Sequence, residues 1–228
     1  MRRVRSVLLA AVLAVLGTGC PSAPPDYYPL EADRSWSYRM TIRQGDADNG
    51  RVVDTTSVVT NLPPRPFAGQ PAVPQRQEAF GAGRVRLLRD DGQGVVDVGE
   101  LNEADGTMTA RDPVNPIVRR PLTPGASWSA TWETTQSGGP TRLPMQKTVA
   151  STDDTVETAA GRFVHCLSLS IKGGGPVMID GQAVQVEVAG EEWFAPGVGL
   201  VRADFRETVA QRPEAATHVQ LDLIAHRP

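Results

Sequence analysis

The stretch Ser35-Trp36-Ser37-Tyr38-Arg39-Met40-Thr41-Ile42-Arg43 decides the fold class, because its polar and apolar residues alternate without a break. Successive side chains of a β-strand point to opposite faces. One face of this stretch therefore carries four large apolar side chains, those of Trp36, Tyr38, Met40 and Ile42. The other face is polar throughout. We predict a half-buried strand over this stretch.

The same alternation indicates strands later in the chain, in Phe163–Ile171, Val184–Val188 and Val219–Leu223. Strand-like runs are separated by four turn dipeptides: Asn49-Gly50, Asp91-Gly92, Asp105-Gly106 and Asp180-Gly181. Such pairs suit two-residue hairpins that require positive φ. The sequence therefore predicts a mainly β protein, built as an antiparallel, turn-rich curved sheet or as a partly open barrel or sandwich. A helix is expected only in the signal peptide described below.

Three proline-rich stretches are predicted to be loops: Pro63–Pro74, Asp112–Pro124 and Gly138–Pro144. Proline lacks a backbone N–H and cannot donate to a sheet ladder, which argues against strands at these places. The first stretch is expected to form a mobile excursion.

The composition describes a globular chain with no basic footprint. The 228 residues are 40% hydrophobic and 21% charged, and the 22 glycines and 19 prolines agree with many turns. Acidic residues outnumber basic ones by 26 to 23, for a formal charge of −3. We therefore expect no nucleic-acid partner.

The N-terminus has the layout of a secretory signal peptide over residues 1–19. Arginines in Met1–Arg5 precede ten apolar residues, Val7–Leu16, and small residues then lead to Cys20. Ten residues of helix are too short to remain as a membrane span. The placement of Cys20 resembles the lipobox of bacterial lipoproteins, although Leu16 lies one residue further from the cysteine than the usual large aliphatic residue.

That resemblance implies that Cys20 is acylated and that the protein contacts a membrane through its N-terminal acyl chains. The alternative is cleavage by an ordinary signal peptidase, with Cys20 incidental. Residues 20–29, rich in proline, are expected to form a tether. Pro21 stands where an aspartate retains many lipoproteins in the inner membrane, so the resemblance favours the outer membrane of the cell envelope.

An internal similarity predicts two related halves. Pro29-Leu30 precedes Ser35-Trp36-Ser37, and Pro121-Leu122 precedes Ser127-Trp128-Ser129 at a constant offset of 92 residues. The chain from 30 to 226 is therefore predicted to be a single β-rich domain with similar halves, 30–118 and 121–226. The alternative is that the same short motif precedes a strand twice by chance, without a duplication.

Three blocks in order resemble a group of uncharacterised bacterial lipoproteins. They are Tyr28-Pro29-Leu30 followed by Trp36-x-Tyr38, then Gly161-x-Phe163-x-x-Cys166, then Trp193-Phe194-Ala195-Pro196-Gly197-Val198-Gly199-Leu200-Val201. The resemblance covers about Tyr28 to Arg206. It implies an envelope lipoprotein and brings no activity with it. The last block also contains a tight connection between two strands, Pro196–Gly199.

Candidate catalytic residues are few. His165 and Cys166 are adjacent, and neighbours in a strand point to opposite faces, so they are not expected to form a thiolate couple. We expect His165 to be an interior, hydrogen-bonded histidine. Cys166 is expected to be a core or sheet-surface thiol with no disulfide partner, because Cys20 carries lipid. No catalytic residue is predicted.

Candidate metal and ligand residues are also weak. Asp46–Gly50 has the glycine of a calcium loop one residue early and is expected to be a hairpin tip. The adjacent carboxylates Asp90-Asp91, Asp153-Asp154 and Glu191-Glu192 are expected to be surface charge. No metal site and no cofactor are predicted. The four tryptophans, Trp36, Trp128, Trp132 and Trp193, either anchor the core or line a carbohydrate or lipid groove.

Two functional hypotheses remain, with a hydrolase as a distant third. The first is a non-enzymatic envelope lipoprotein that binds a protein partner, a polysaccharide or another envelope component. The second is a carrier of lipid or lipoprotein acyl chains in an apolar cavity enclosed by a curved sheet. A continuous apolar cavity of several hundred Å³ would favour the carrier.

Overall fold

A computed structural model describes residues 25–45, 50–134, 136, 139, 141–179 and 181–228. Thirteen strands occupy most of these residues, together with one short 3-10 helix, Pro213–Ala215. The strands are β1 (Ser35–Gln44), β2 (Arg51–Asn61), β3 (Arg65–Phe67), β4 (Gln70–Ala79), β5 (Ala82–Asp90), β6 (Gly94–Leu101), β7 (Met108–Arg119), β8 (Ser127–Thr134), β9 (Thr141–Thr158), β10 (Gly161–Ile179), β11 (Gln182–Ala195), β12 (Gly199–Val209) and β13 (Thr217–Arg227).

All pairings between these strands are antiparallel, and they form one continuous sheet. The order is β7-β6-β5-β4-β2-β1-β13-β12-β11-β10-β9-β8, with β3 paired only to β4. The sheet curves into a barrel shape that is closed except at one seam, where β7 and β8 face each other without ladder pairing. The predicted fold class is thereby confirmed. The described residues contain no helix long and apolar enough to span a membrane.

β1, which contains the alternating stretch Ser35–Arg43, lies in the centre of the sheet. Trp36, Tyr38 and Met40 are buried, whereas Arg39 between them is exposed. The strand pairs with β2 on one side and with β13 on the other. β1 is thus the strand that joins the first part of the sheet to the last.

The turn dipeptides fall between strands, as predicted. Asp91-Gly92 separates β5 from β6, and Asp105-Gly106 separates β6 from β7. Gly92 and Gly106 have φ values of 85° and 74°, which glycine adopts without steric cost. The other two dipeptides also lie between consecutive strands, but Asn49 and Asp180 are outside the described residues.

The loop predictions for two proline-rich stretches were wrong. Pro63–Pro74 contains β3 and the start of β4, which form a hairpin, and Phe67 packs on the outer face of the sheet against a buried cluster. Asp112–Pro124 contains much of β7. β7 borders the seam, where a proline sacrifices no ladder hydrogen bond on its open side. In the third stretch, Gly138–Pro144, the residues from Thr141 onward belong to β9.

Each predicted half supplies six strands to the curved sheet. β1, β2, β4, β5, β6 and β7 come from the first half, and β8 to β13 come from the second. Trp36 and Trp128 are the second residues of β1 and β8. Leu30 and Leu122 both pack against the core cluster that contains Leu167. A common origin of the halves stays a prediction.

The segment before β1 is packed against one end of the barrel. Tyr27 is buried, and its hydroxyl donates to the backbone carbonyl of His165 over 3.1 Å. The amide of Gly197 donates to the carbonyl of Asp26 over 2.7 Å. The predicted tether, residues 20–29, therefore does not extend through Tyr27–Pro29. Residues 1–24, which include the predicted signal peptide and Cys20, lie outside the described residues.

Candidate functional site

Side chains close the gap that the ladder leaves between β7 and β8. The side-chain amide of Asn115 donates from Nδ2 to the Thr131 carbonyl over 3.1 Å, and its Oδ1 accepts from the Thr131 amide over 2.8 Å. This pair imitates the two hydrogen bonds that facing residues exchange in an antiparallel ladder. The seam is thus bridged by a side chain in place of backbone pairing.

A buried ion network crosses the same seam. The Arg111 side chain on β7 is 2% exposed and lies 3.1 Å from Asp97, 2.8 Å from Glu100 and 2.6 Å from Glu133. Asp97 and Glu100 belong to β6, whereas Glu133 belongs to β8. Arg84 on β5 adds an ion pair to Glu133 over 2.6 Å. Ion pairs therefore connect β5, β6, β7 and β8 around the seam, where β7 and β8 have no ladder pairing.

The interior of the barrel contains a cavity of about 350 Å³. Its lining residues come from every strand of the curved sheet except β10. One part of the wall is aromatic and aliphatic, with Trp36, Trp132, Phe194, Leu200, Phe205 and Leu221. The other part is charged or polar and includes Gln75, Arg84, Arg86, Asp97, Arg111, Lys147 and Glu192. The cavity is amphipathic.

Most of the charged groups in the cavity wall are neutralised by a neighbour. Lys147 is buried, and its Nζ lies 2.6 Å from Glu192 and 3.3 Å from the Ile117 carbonyl. Arg84 and Arg111 belong to the seam network. Arg86 differs, because its hydrogen bonds go to the neutral side chains of Gln75 and Tyr28.

A chain of amide groups holds Arg86 in place. Asn61 is fully buried, and its Nδ2 donates over 3.1 Å to the carbonyls of Pro29 and Glu31. Its Oδ1 therefore faces Gln75, whose Nε2 donates to it over 3.0 Å. This orientation turns the Gln75 carbonyl oxygen toward Arg86, at 2.8 Å from Nη2. The N-terminal segment and β2 thereby fix the guanidinium on β5.

Burial and neighbouring charge shift several pKa values in this region. Burial raises the pKa of Tyr28 and Tyr38 above the usual phenol value, so both remain neutral. Burial raises the pKa of Asp97, and the charges of Arg86 and Arg111 offset only part of that effect. Burial also acts to raise the pKa of Glu133, but hydrogen bonds from Arg84 and Arg111 outweigh it and lower the pKa to about 2. The seam carboxylate is thus ionised across the neutral pH range.

No protein-family model matches the chain, and no curated protein matches it in sequence. A solved structure from Bacteroides fragilis, described as an exported protein with a YmcC-like fold, is similar with a TM-score of 0.51 at 16% identity. The match covers 90% of this chain and 100% of that one. The chain has a YmcC-like fold.

A second solved structure has the same extent of overlap. It comes from Parabacteroides distasonis, is described as a lipoprotein, and matches with a TM-score of 0.49 at 12% identity. The match covers 90% of this chain and 100% of that one. At 16% identity, the fold is what the chain shares with the Bacteroides fragilis protein, so its chemistry has to be argued from its own residues.

His165 is not the interior histidine that the alternation predicts. Its side chain is 72% exposed, and Nδ1 lies 2.5 Å from an exposed carboxylate, that of Asp153. The cause is a bulge: His165 has a φ of 55°, and the pairing of β10 with β9 shifts between Phe163 and Cys166. A bulge inserts an extra residue and reverses the faces of those that follow.

Cys166 is a fully buried thiol. Burial, and then the charge of Asp154, raises its pKa, and its Sγ lies 3.6 Å from the Phe163 carbonyl. Its burial contrasts with the exposed side chain of His165, which pairs with Asp153. Among the described residues no cluster of histidine, cysteine or carboxylate groups is arranged to hold a metal. Asp46–Asn49 lie outside the described residues.

All four tryptophans are at least partly buried, and two of them line the cavity. Trp36 is buried in the core and also lines the cavity with Trp132. Trp128 and Trp193 are partly buried and pack against core clusters. Sequence reasoning missed the polar wall. A signal existed in Leu143-x-Met145-x-Lys147-x-Val149, where a lysine occupies an otherwise apolar strand face.

Proposed function

We propose that the protein is an exported, lipid-anchored protein of the bacterial envelope whose barrel-shaped sheet is a non-enzymatic binding module. The observation that carries this proposal is the amphipathic cavity of about 350 Å³ inside the sheet. Concave sites with a largely apolar wall and a few fixed polar groups are typical of small-molecule recognition. The ligand is expected to combine an apolar part with a polar head.

The geometry of the N-terminal segment supports an anchored arrangement. Asp26 and Tyr27 are fixed to the barrel end that contains Gly197 and His165. Asp26 lies six positions after Cys20, a span of about 20 Å when the chain is fully extended. An acylated Cys20 would therefore hold this end of the barrel close to the membrane. Export of this protein is also supported by its structural similarity to a protein described as exported.

A non-enzymatic role is supported by the positions of the histidines. None of the three, His165, His218 and His226, lines the cavity. His218 is paired with Asp204 over 2.8 Å, and Asp204 does not line the cavity either. The cavity wall therefore lacks the nucleophile and base that a hydrolase of the serine or cysteine type requires.

The carrier hypothesis finds less support in this cavity. An acyl chain is best accommodated by a wall without buried charge, since a buried ion needs a polar partner. Lys147, Asp97 and Arg111 are all buried at the wall or beneath it. This chemistry favours a compact ligand with a polar head over the chains of a phospholipid or lipoprotein.

Native mass spectrometry of the full-length protein, extracted in mild detergent, tests the binding role. We expect a bound polar molecule of small mass, which is lost in Leu221→Trp because the indole fills the cavity. Val114→Trp, on an exposed part of β7, is the matched control and should retain the ligand. Copurifying phospholipid that disappears in Leu221→Trp would favour the carrier instead. An empty wild-type protein that binds no compound in a library of polar metabolites would contradict the proposal.

The anchor is tested separately. Cells fed a radiolabelled fatty acid should label the wild-type protein and leave Cys20→Ser unlabelled. Fractionation of inner and outer membranes then tests the proposed outer-membrane location. Label on Cys20→Ser would overturn the assignment of Cys20.

A further inference from the structure

Arg86 is the cation of the cavity wall that lacks a carboxylate partner. Arg84, Arg111 and Lys147 each lie 2.6 Å from a glutamate oxygen. No carboxylate among the described residues lies within ion-pair distance of Arg86. Its Nη2 contacts the neutral Gln75 and Tyr28 at 2.8 and 3.3 Å. The guanidinium is therefore positioned without being neutralised locally.

One N–H of this guanidinium is buried and makes no hydrogen bond. The Nε atom of Arg86 is among the few buried side-chain nitrogen or oxygen atoms of the described structure without a partner. Leaving such a donor unpaired is unfavourable, and more so for a charged group. Two further residues that line the cavity have such an atom, Thr131 at Oγ1 and Arg111 at Nε. The Arg111 Nε atom lies 3.1 Å from the Asp97 carboxylate, so Arg86 Nε and Thr131 Oγ1 are the two left to contact a ligand.

The nearby carboxylate of Asp97 does not accept a hydrogen bond from the Arg86 Nε atom. It lies 3.1 Å from Arg111 and accepts a hydrogen bond of 3.1 Å from the Gly99 amide. Arg86 influences it only through space, by opposing the rise in the pKa of Asp97 that burial produces. The Arg86 Nε atom remains without a partner in this arrangement.

The fixed position of Arg86 suits recognition of a planar or tetrahedral oxyanion. A guanidinium presents several N–H groups in a rigid fork that matches carboxylate and phosphate oxygens. The relay from Asn61 through Gln75 holds the fork before any ligand arrives, so binding loses little side-chain entropy. Aromatic and aliphatic residues, including Trp36, Phe205 and Leu221, line the rest of the cavity.

We propose that Arg86 is the anchor of an organic-anion site, in which a carboxylate or phosphate ester accepts hydrogen bonds from the guanidinium while an apolar or ring-shaped body packs against the aromatic wall. The volume of about 350 Å³ equals about a dozen waters at 30 Å³ each, enough for a molecule built on one ring. This inference rests on the proposed binding role of the cavity and names the ligand class.

Calorimetric titration of the full-length protein in detergent tests the site with three matched probes: benzoate, phenyl phosphate and the neutral benzamide. We expect benzoate or phenyl phosphate to bind at least about tenfold more tightly than benzamide, the loss expected for a charge-assisted hydrogen bond. The stronger of the two anions identifies the head group as carboxylate or phosphate. Equal binding of benzoate, phenyl phosphate and benzamide would overturn the proposal.

Substitutions of Arg86 test whether this residue binds the anion. Arg86→Met should weaken binding of the favoured anion at least about tenfold, and Arg86→Lys should weaken it less, since the charge stays and the fork is lost. Arg39→Met removes an exposed cation elsewhere on the sheet and should leave binding unchanged. Unchanged binding in Arg86→Met would contradict the site. If Arg86→Met does not fold, the comparison of benzoate with benzamide on the wild-type protein decides.

The two proposals fail in different ways. A neutral polar ligand that copurifies with the protein, together with absent binding of both anions, would leave the binding module standing and exclude the anion site. No ligand and no probe binding at all would contradict both.

Discussion

The side-chain amide of Asn115 pairs with the backbone of Thr131 through two hydrogen bonds of 2.8 and 3.1 Å, at the one place where the barrel-shaped sheet has no ladder. β7 and β8 come from the two predicted halves of the chain. Their junction therefore depends on side chains, whereas the other junction between the halves, β1 with β13, is an extended backbone ladder. We therefore expect the stability of the barrel to be sensitive to substitution of the side chains that bridge the seam.

Asn115→Ala should destabilise the protein by about 1–3 kcal/mol, because it leaves the amide and carbonyl of Thr131 without partners at a partly buried site. Urea denaturation measures the loss, and hydrogen exchange at the Thr131 amide should accelerate. Asn102→Ala is the control, since the Asn102 side chain accepts a hydrogen bond from the exposed amide of Ala104. Similar losses for both variants would show that the seam pair has no special weight.

Arg111→Met should cost about 3–5 kcal/mol of stability, because it leaves the buried carboxylate of Asp97 without its ion pair. The double variant Arg111→Met/Asp97→Asn should recover part of the loss, since it removes the uncompensated charge. Arg120→Met breaks an exposed pair of 3.8 Å with Asp90 and should cost at most about 1 kcal/mol. Thermal or urea unfolding of the four proteins tests the ranking. A double variant less stable than Arg111→Met would contradict the electrostatic explanation.

Much of the fold could be predicted from alternation and turn chemistry, and the exceptions have physical causes. β1 was predictable because Trp36, Tyr38 and Met40 share one face. β7 was missed because Pro113 and Pro116 suggest a loop, yet β7 borders the open seam and tolerates them. His165 was placed on the wrong face because a bulge interrupts the period of two.

The candidate site was less predictable than the fold. Which strand face points into a cavity depends on closure of the whole sheet, which no local pattern encodes. Arg86 lies between Val85 and Leu87 in β5, and this local sequence does not indicate that its side chain lines a cavity. Gln75 faces Arg86 directly across the β4–β5 hairpin, whereas Tyr28 reaches Arg86 through packing of the N-terminal segment.

Protonation of Glu133 should lower the free energy of unfolding in the acid pH range. Its pKa is lowered from 4.5 to about 2 in the folded protein, so its stabilising contribution is fully present above pH 4.5 and is lost as the pH falls through about 2. The difference in unfolding free energy between wild type and Glu133→Gln should therefore be constant near neutrality and shrink in this acid window. Urea denaturation at a series of pH values measures it.

Asp97 should show the opposite pH dependence in the same experiment. Because burial raises its pKa above 3.8, its ionised form is disfavoured by folding, and this cost is relieved as the pH falls. The pH dependence of Asp97→Asn relative to wild type should thus have the opposite sign to that of Glu133→Gln. The same sign for both variants would contradict the assignment of the two carboxylates.

Cys166 should be inert in the native protein. Its thiol is fully buried and its pKa is raised by burial, so the reactive thiolate is scarce at neutral pH. In the Cys20→Ser variant, where it is the single cysteine, a disulfide reagent should react with it far more slowly in buffer than in urea. Rapid native labelling would show that the end of the barrel near His165 opens.

Gly190 should be required for the position of Phe205 in the cavity wall. Gly190 faces Phe205 in the β11–β12 ladder, and a Cβ at position 190 would lie 2.6 Å from Phe205 Cδ1 and 2.4 Å from the Asp204 carbonyl oxygen. Phe205 packs against Trp132 with ring centroids 4.9 Å apart. Gly190→Ala must therefore shift the ring or the strand, which should cost about 1–3 kcal/mol and change the near-ultraviolet circular dichroism of Trp132.

Gly83→Ala provides the matched control for this substitution. The nearest atom to a Cβ at position 83 is 3.8 Å away, an ordinary contact, and the backbone there does not require glycine. Alanine should leave stability unchanged or raise it by up to about 1 kcal/mol through the unfolded state. Because Phe205 lines the cavity and Gly83 does not, only Gly190→Ala should also weaken binding of the favoured anion. A Gly190→Ala protein with wild-type stability and wild-type circular dichroism would show that the strands yield without moving the ring.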